Sequence, residues 1–98
     1  MPLAVYWTDQ ALSNSLSIKH YLKENFSDTE IEAFYSLLGT FETAVSVFPE
    51  LYPTTRRKAK IRRAVLSRVL SVFYRVSKKH IEVLAVLDNR ADISNWFD

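Results

Sequence analysis

Residues 61–87 read IRRAVLSRVLSVFYRVSKKHIEVLAVL and hold most of the β-structure this chain can form. Leu70, Val72, Tyr74 and Val76 alternate with Ser71, Phe73 and Arg75, the period-two pattern of a strand whose faces see different surroundings. The polar turn Ser77-Lys78-Lys79-His80 follows, and then Ile81 to Leu87, apolar at nearly every position except Glu82. Such a run predicts a central strand covered on both faces. Four residues between two runs of this kind predict an antiparallel hairpin. Arg62 to Leu66, rich in apolar and basic residues, is a third strand candidate.

Working back from the sheet, the preceding chain reads as its cover. Leu3 to Trp7 contains Val5, Tyr6 and Trp7, all good strand formers. Thr8 and Asp9 can cap a helix start, because short side-chain oxygens accept from the unpaired N–H groups of a first turn. Ala11, Leu12, Leu16, Ile18, Leu22 and Phe26 then recur at helical spacing, predicting an amphipathic helix of about four turns with His20 on its polar side. Ser27-Asp28-Thr29-Glu30 has the form of a capping box, and Phe26 with Ile31 that of a hydrophobic staple. A second helix carries Ile31, Phe34, Leu38, Phe41, Val45 and Phe48 on one stripe and ends at Phe48-Pro49. Gly39 inside it costs roughly 1 kcal/mol relative to Ala; close approach of the two helices or a tolerated defect accounts for it. The two helices are expected to form a hairpin over one face of the sheet.

With 98 residues the chain is expected to be a single domain, 1–98. It has no cysteine, which excludes disulfides and thiolate metal sites and suits a reducing compartment. With only His20 and His80, a zinc site would need carboxylates for most of its ligands, and no cluster has that spacing, so no metal and no cofactor is expected. No apolar run approaches the ~18 residues of a bilayer span, and a soluble, cytoplasmic protein is expected. The net charge of +2 is unevenly spread. Residues 1–50 carry two bases against seven acids (−5), and residues 51–98 eleven bases against four acids (+7). Seven of the bases, Arg56, Arg57, Lys58, Lys60, Arg62, Arg63 and Arg68, fall in thirteen positions within and beyond the loop PELYPTTRRKAK at 49–60. A field of this kind attracts nucleic acid or an acidic protein segment, or is simply a solvated basic face. In the polar tail, Ile93, Trp96 and Phe97 have the spacing of a short helical turn folding back on the body.

The order strand, helix hairpin, Phe-Pro, basic loop, antiparallel meander and short tail resembles the RelE/ParE superfamily of bacterial toxins. The residues that carry it are VYWTDQAL at 5–12, FPEL at 48–51, SVFYRV at 71–76 and VLDNRAD at 86–92, spread over essentially the whole chain. The resemblance implies an α+β fold, with the N-terminal strand and helix hairpin on one face of a small, mainly antiparallel sheet and a short C-terminal tail. It implies the toxin of a type II toxin–antitoxin module, neutralised by a cognate antitoxin, as a homodimer or a toxin–antitoxin hetero-oligomer.

Members of the superfamily divide by target. RelE-like members cut messenger RNA in the ribosomal A site; ParE-like members poison DNA gyrase and have no recognised nuclease chemistry. Cleavage without a metal needs a base for the 2′-hydroxyl, an acid for the leaving oxygen and cations around the transition state. Where RelE-like enzymes place an Arg at the start of the third strand, this chain has Ser71, and where a catalytic Tyr lies in their tail it has Trp96. Arg90 matches the Arg after the last strand, preceded by Asp88 and Asn89 rather than His. His80 stands at the far end of its strand from Arg90. The resemblance therefore points to the ParE-like branch and leans away from an enzyme, with Arg90 the catalytic candidate if the chain is a nuclease after all. Arg62, Arg63, Arg68, Arg90 and Trp96 are the expected contacts to target or antitoxin. The plainer alternatives are strand-edge charges that discourage unwanted pairing, a surface ion bridge from Arg90 to Asp88 or Asp92 worth under ~1 kcal/mol, and aromatics that seal the sheet edge.

Overall fold

Strands β1 (Ala4–Trp7), β2 (Ile61–Val65), β3 (Leu70–Val76) and β4 (His80–Asp88) form one sheet in the order β1-β4-β3-β2. Helices α1 (Asp9–Asn25) and α2 (Asp28–Val47) lie between β1 and β2 in the chain, and a 3-10 turn at Asn89–Ala91 follows β4. This computed structural model describes residues 2–55 and 60–91; the tail turn expected at Ile93, Trp96 and Phe97 lies outside the described residues. The meander β2-β3-β4 is antiparallel and β1 joins β4 in parallel, so the sheet is mainly antiparallel as its sequence predicts. Parallel entry requires a long crossover, which the helix hairpin supplies.

One core lies between sheet and helices, with Ile18, Leu22, Phe34, Leu38, Phe41 and Val45 meeting Leu70, Val72, Tyr74, Ile81, Val83 and Val86. The expected burial of the two long strands is exchanged. β3, whose sequence alternates, is buried at its first five residues on both faces; β4, the continuous apolar run, alternates between buried and half-buried. A bulge decides the phase. Phe73 pairs with Ala85 but Tyr74 with Val83, leaving Leu84 as the extra residue on β4. That insertion re-aims the strand, so that Ile81, Val83 and Val86 all reach the core while Ala85 joins Phe73 on the other face.

Polar side chains fasten the covering elements to this irregular strand. The Thr8 hydroxyl accepts from the Ala11 N–H (3.2 Å), capping α1 as expected, and donates to the Val83 carbonyl (3.0 Å). β1 pairs with β4 only as far as Val83. Beyond it, the Val86 N–H donates to Oδ1 of Asn14, a buried residue of α1 (3.2 Å). The rotation of α1 that delivers Asn14 buries Ala11, Ser15, Ile18 and Leu22 and leaves Leu12 (48%) and Leu16 (63%) exposed, contrary to the stripe read from spacing alone. On α2 the stripe holds from Phe34 to Val45, but Phe48 is 64% exposed. Ser27 sits at the N-cap without a side-chain cap bond, and Glu30 turns away from the capping box to Arg90. A β-carbon on Gly39 would meet nothing within 4 Å, so close helix approach is not the reason for this glycine.

Candidate interaction surface

Alternation along β2 sends its two arginines to opposite sides of the sheet. Arg62 pairs with Tyr74 on the core side; its Nη1 donates to the Tyr52 carbonyl (2.7 Å) and its Nη2 lies 3.6 Å from Oε2 of Glu50. The same corner is closed by Tyr74, fully buried, whose hydroxyl donates to the Pro49 carbonyl (2.8 Å) and whose ring stands edge-on to Phe41 (5.4 Å). Burial pushes the phenol pKa up. Tyr74 is thus a core residue.

Arg63, on the other side, is exposed and reaches across β3. Its Nη2 donates to Oγ of Ser71 (3.3 Å), and its guanidinium carbon lies 5.6 Å from the centre of the Phe73 ring. The chain that lacks an arginine at position 71 therefore has one leaning over that position from the neighbouring strand. Arg68 stands exposed in the β2–β3 turn, where Ser67 Oγ accepts from the Val69 and Leu70 N–H groups.

Arg90 is placed very differently from an exposed cation. Its Nε and Nη2 donate to Oδ1 and Oδ2 of Asp88 (3.1 and 2.8 Å), its own N–H donates to Oδ1 (2.9 Å), and Nη1 donates to Oε2 of Glu30 in the first turn of α2 (3.2 Å). The guanidinium carbon lies 5.3 Å from the Phe26 ring centre. Asp88 is 0% exposed, so this is a desolvated pair and not the surface bridge given as the plainer alternative. Hydrogen bonding to Asp88 is the largest cause holding the Arg90 pKa above its ordinary value. The network ties the end of β4 to the start of α2. A visible signal existed in the sequence, a lone carboxylate ending an apolar strand two residues before an arginine, but nothing there showed that the carboxylate is buried.

The sheet separates these groups. Arg90 lies on the helix side with Asp88 and Glu30, Arg63 on the side of Ser71 and Phe73, and His80 opens β4 at the opposite end from Arg90, with Nδ1 3.1 Å from Oγ of Ser77. Trp96 lies outside the described residues. Among the described residues, no group of His, Asp and Glu is arranged to hold a metal ion, and no helix is long and apolar enough to cross a membrane.

The helix hairpin contributes a surface that sequence reading placed in the core. Exposed Leu12 on α1 and Tyr35 (41%) on α2 flank a groove of about 260 Å³, lined also by Trp7, Ser15, Leu38 and Gly39, and Leu16 is exposed one turn along α1 from Leu12. Trp7 donates through Nε1 to Oε2 of Glu42 at its edge (3.3 Å). The missing side chain at Gly39 leaves its floor open.

No protein-family model and no curated protein matches this sequence. Solved structures do match in fold. A chromosomal ParDE TA system from P. aeruginosa superposes with a TM-score of 0.71 at 19% identity, over 88% of this chain and 95% of that one. YafQ in the E. coli DinJ–YafQ toxin–antitoxin complex gives 0.54 at 13% identity, over 96% and 100%. YafQ alone, from E. coli strain BL21(DE3), gives 0.52 at 12% identity, over 94% and 99%. The fold is that of the RelE/ParE toxins, with the greater likeness to the ParDE structure.

Proposed function

We propose that this chain is a ParE-like toxin of a type II toxin–antitoxin module, which arrests growth by binding DNA gyrase and is neutralised by a cognate antitoxin. The observation that carries the choice of binding over cleavage is the division of the cations by the sheet. A ribonuclease of this kind needs proton-transfer groups and phosphate clamps converging on one point. Here Arg90 is engaged by two carboxylates on one side, and Arg63 leans on Ser71 on the other. The hairpin groove beside Gly39 suits the apolar side chains of an antitoxin helix, and exposed Leu12 and Tyr35 at its rim form the kind of apolar patch a partner covers.

Induced in bacteria, the chain is expected to stop growth, and co-expression of a cognate antitoxin to restore it. Purified protein is expected to inhibit supercoiling by gyrase and to leave ribosome-bound messenger intact. Codon-specific cleavage in a primer-extension assay, lost in a folded Arg90→Ala variant, overturns the proposal. It would establish the alternative, a RelE-like ribosome-dependent endonuclease, for which the guanidinium of Arg63 over Ser71 is the favouring observation.

A further inference from the structure

A second apolar surface lies at the C-terminal end of α2, sharing no residue with the hairpin groove. Val47 (55% exposed), Phe48 (64%) and Leu51 (53%) surround a cleft of about 520 Å³ whose wall includes Pro49 and Val76. None of the three exposed side chains is part of the core. Contiguous apolar surface rimmed by polar groups marks an interaction site more often than an accident of folding.

Charge identifies the occupant. Lys78 lies two residues beyond Val76, so its Cα is within ~7.6 Å of the cleft wall; Lys79 follows it in the same turn. Lys60 directly precedes β2, whose first residue Ile61 pairs with Arg75, which sets it beside the end of β3 where Val76 stands. All three lysines are exposed, and none has an ion-pair partner among the described residues. The acid at the cleft, Glu50, is already faced by Arg62 at 3.6 Å. The Cα of Lys78 lies within about a Debye length of ~8 Å from the cleft wall and that of Lys79 within ~11 Å, so a ligand seated there feels a positive rim.

We propose that this cleft docks an extended segment of a partner protein in which bulky apolar side chains are flanked by Asp and Glu. The recess takes the apolar side chains and the lysine rim takes the carboxylates, which steer the encounter and fix its register. An anionic bilayer is disfavoured because a flat surface leaves the recess unfilled and would meet the carboxylate of Glu50, whose side chain is 81% exposed. The proposal is independent of the gyrase reading.

The test is fluorescence anisotropy of the labelled peptide GDELEFDEG with the full chain. Saturable binding is expected, weakening as salt rises. Leu51→Asp and the pair Lys78→Glu/Lys79→Glu are each expected to weaken it at least tenfold, about 1.4 kcal/mol. Phe48→Ser does the same from a second position, and the exposure of all these sites keeps the thermal midpoint of each variant at the wild-type value. Failure of the wild type to bind the peptide saturably overturns the proposal. So does equal binding by the variants, or equal binding of a peptide with Lys in place of each acid. Capture of phosphatidylglycerol vesicles that Leu51→Asp abolishes, without peptide binding, would make the cleft a lipid surface instead.

Discussion

Replacing Arg90 by Ala tests whether this residue holds the fold together or awaits a partner. The substitution removes three side-chain hydrogen bonds and leaves the Asp88 carboxylate, 0% exposed, with only the N–H of residue 90 as a donor among the described residues. Breaking a buried ion pair from one side costs ~3–5 kcal/mol. Arg90 itself is 27% exposed, so water reaches the edge of the gap and the lower end of that range, ~3 kcal/mol, applies. For a domain of this size each kcal/mol moves the midpoint by ~4–8 °C, giving a fall of ~12–24 °C. The double change Asp88→Asn/Arg90→Ala removes the stranded charge together with its partner and should be less damaging than Arg90→Ala alone. Thermal denaturation by circular dichroism reads both. A midpoint within ~2 °C of wild type for Arg90→Ala would refute the reasoning, because the network would then contribute no more than a surface pair.

Three further outcomes follow from the same contacts. Asn14→Ala leaves the Val86 N–H without its partner on the part of β4 that β1 does not reach and should cost ~1–3 kcal/mol in urea unfolding. Gly39→Ala places a methyl group in open space on a helix and should stabilise the free protein by up to ~1 kcal/mol, while narrowing the groove and weakening binding of the proposed antitoxin helix. The Glu82 carboxyl, held below its ordinary value of 4.5 mainly by hydrogen bonds from Arg75, should titrate closer to that value in Arg75→Gln. Because the folded-state pKa is depressed, the stabilisation it brings is present above pH 4.5 and lost as pH falls through the folded value; carboxyl chemical shifts followed by NMR check the direction.

Periodicity and caps located the elements because they are local properties. The strand from Leu70 to Val76, the turn at Ser77–His80, the Thr8 cap and the Pro49 stop all stand where the sequence puts them. The resemblance in order and spacing also named the fold family that the solved structures match. What failed depends on contacts between distant residues. Leu12 and Leu16 fit a buried stripe by spacing, yet the need of the Val86 N–H for Asn14 turns α1 so that they face outward. Glu30 has the position of a capping-box acid, yet a buried Asp88 and the guanidinium beside it offer a stronger partner sixty positions away.

The amino-acid order by itself determined which segments are helix and strand, and that positive charge gathers in the second half. Only the folded sheet decided which cations can act together. A strand sends successive side chains to opposite faces, so Arg62 and Arg63, neighbours in the chain, are separated by the full thickness of the sheet. Arg90, distant in sequence from Glu30, is bonded to it because β4 ends where α2 begins.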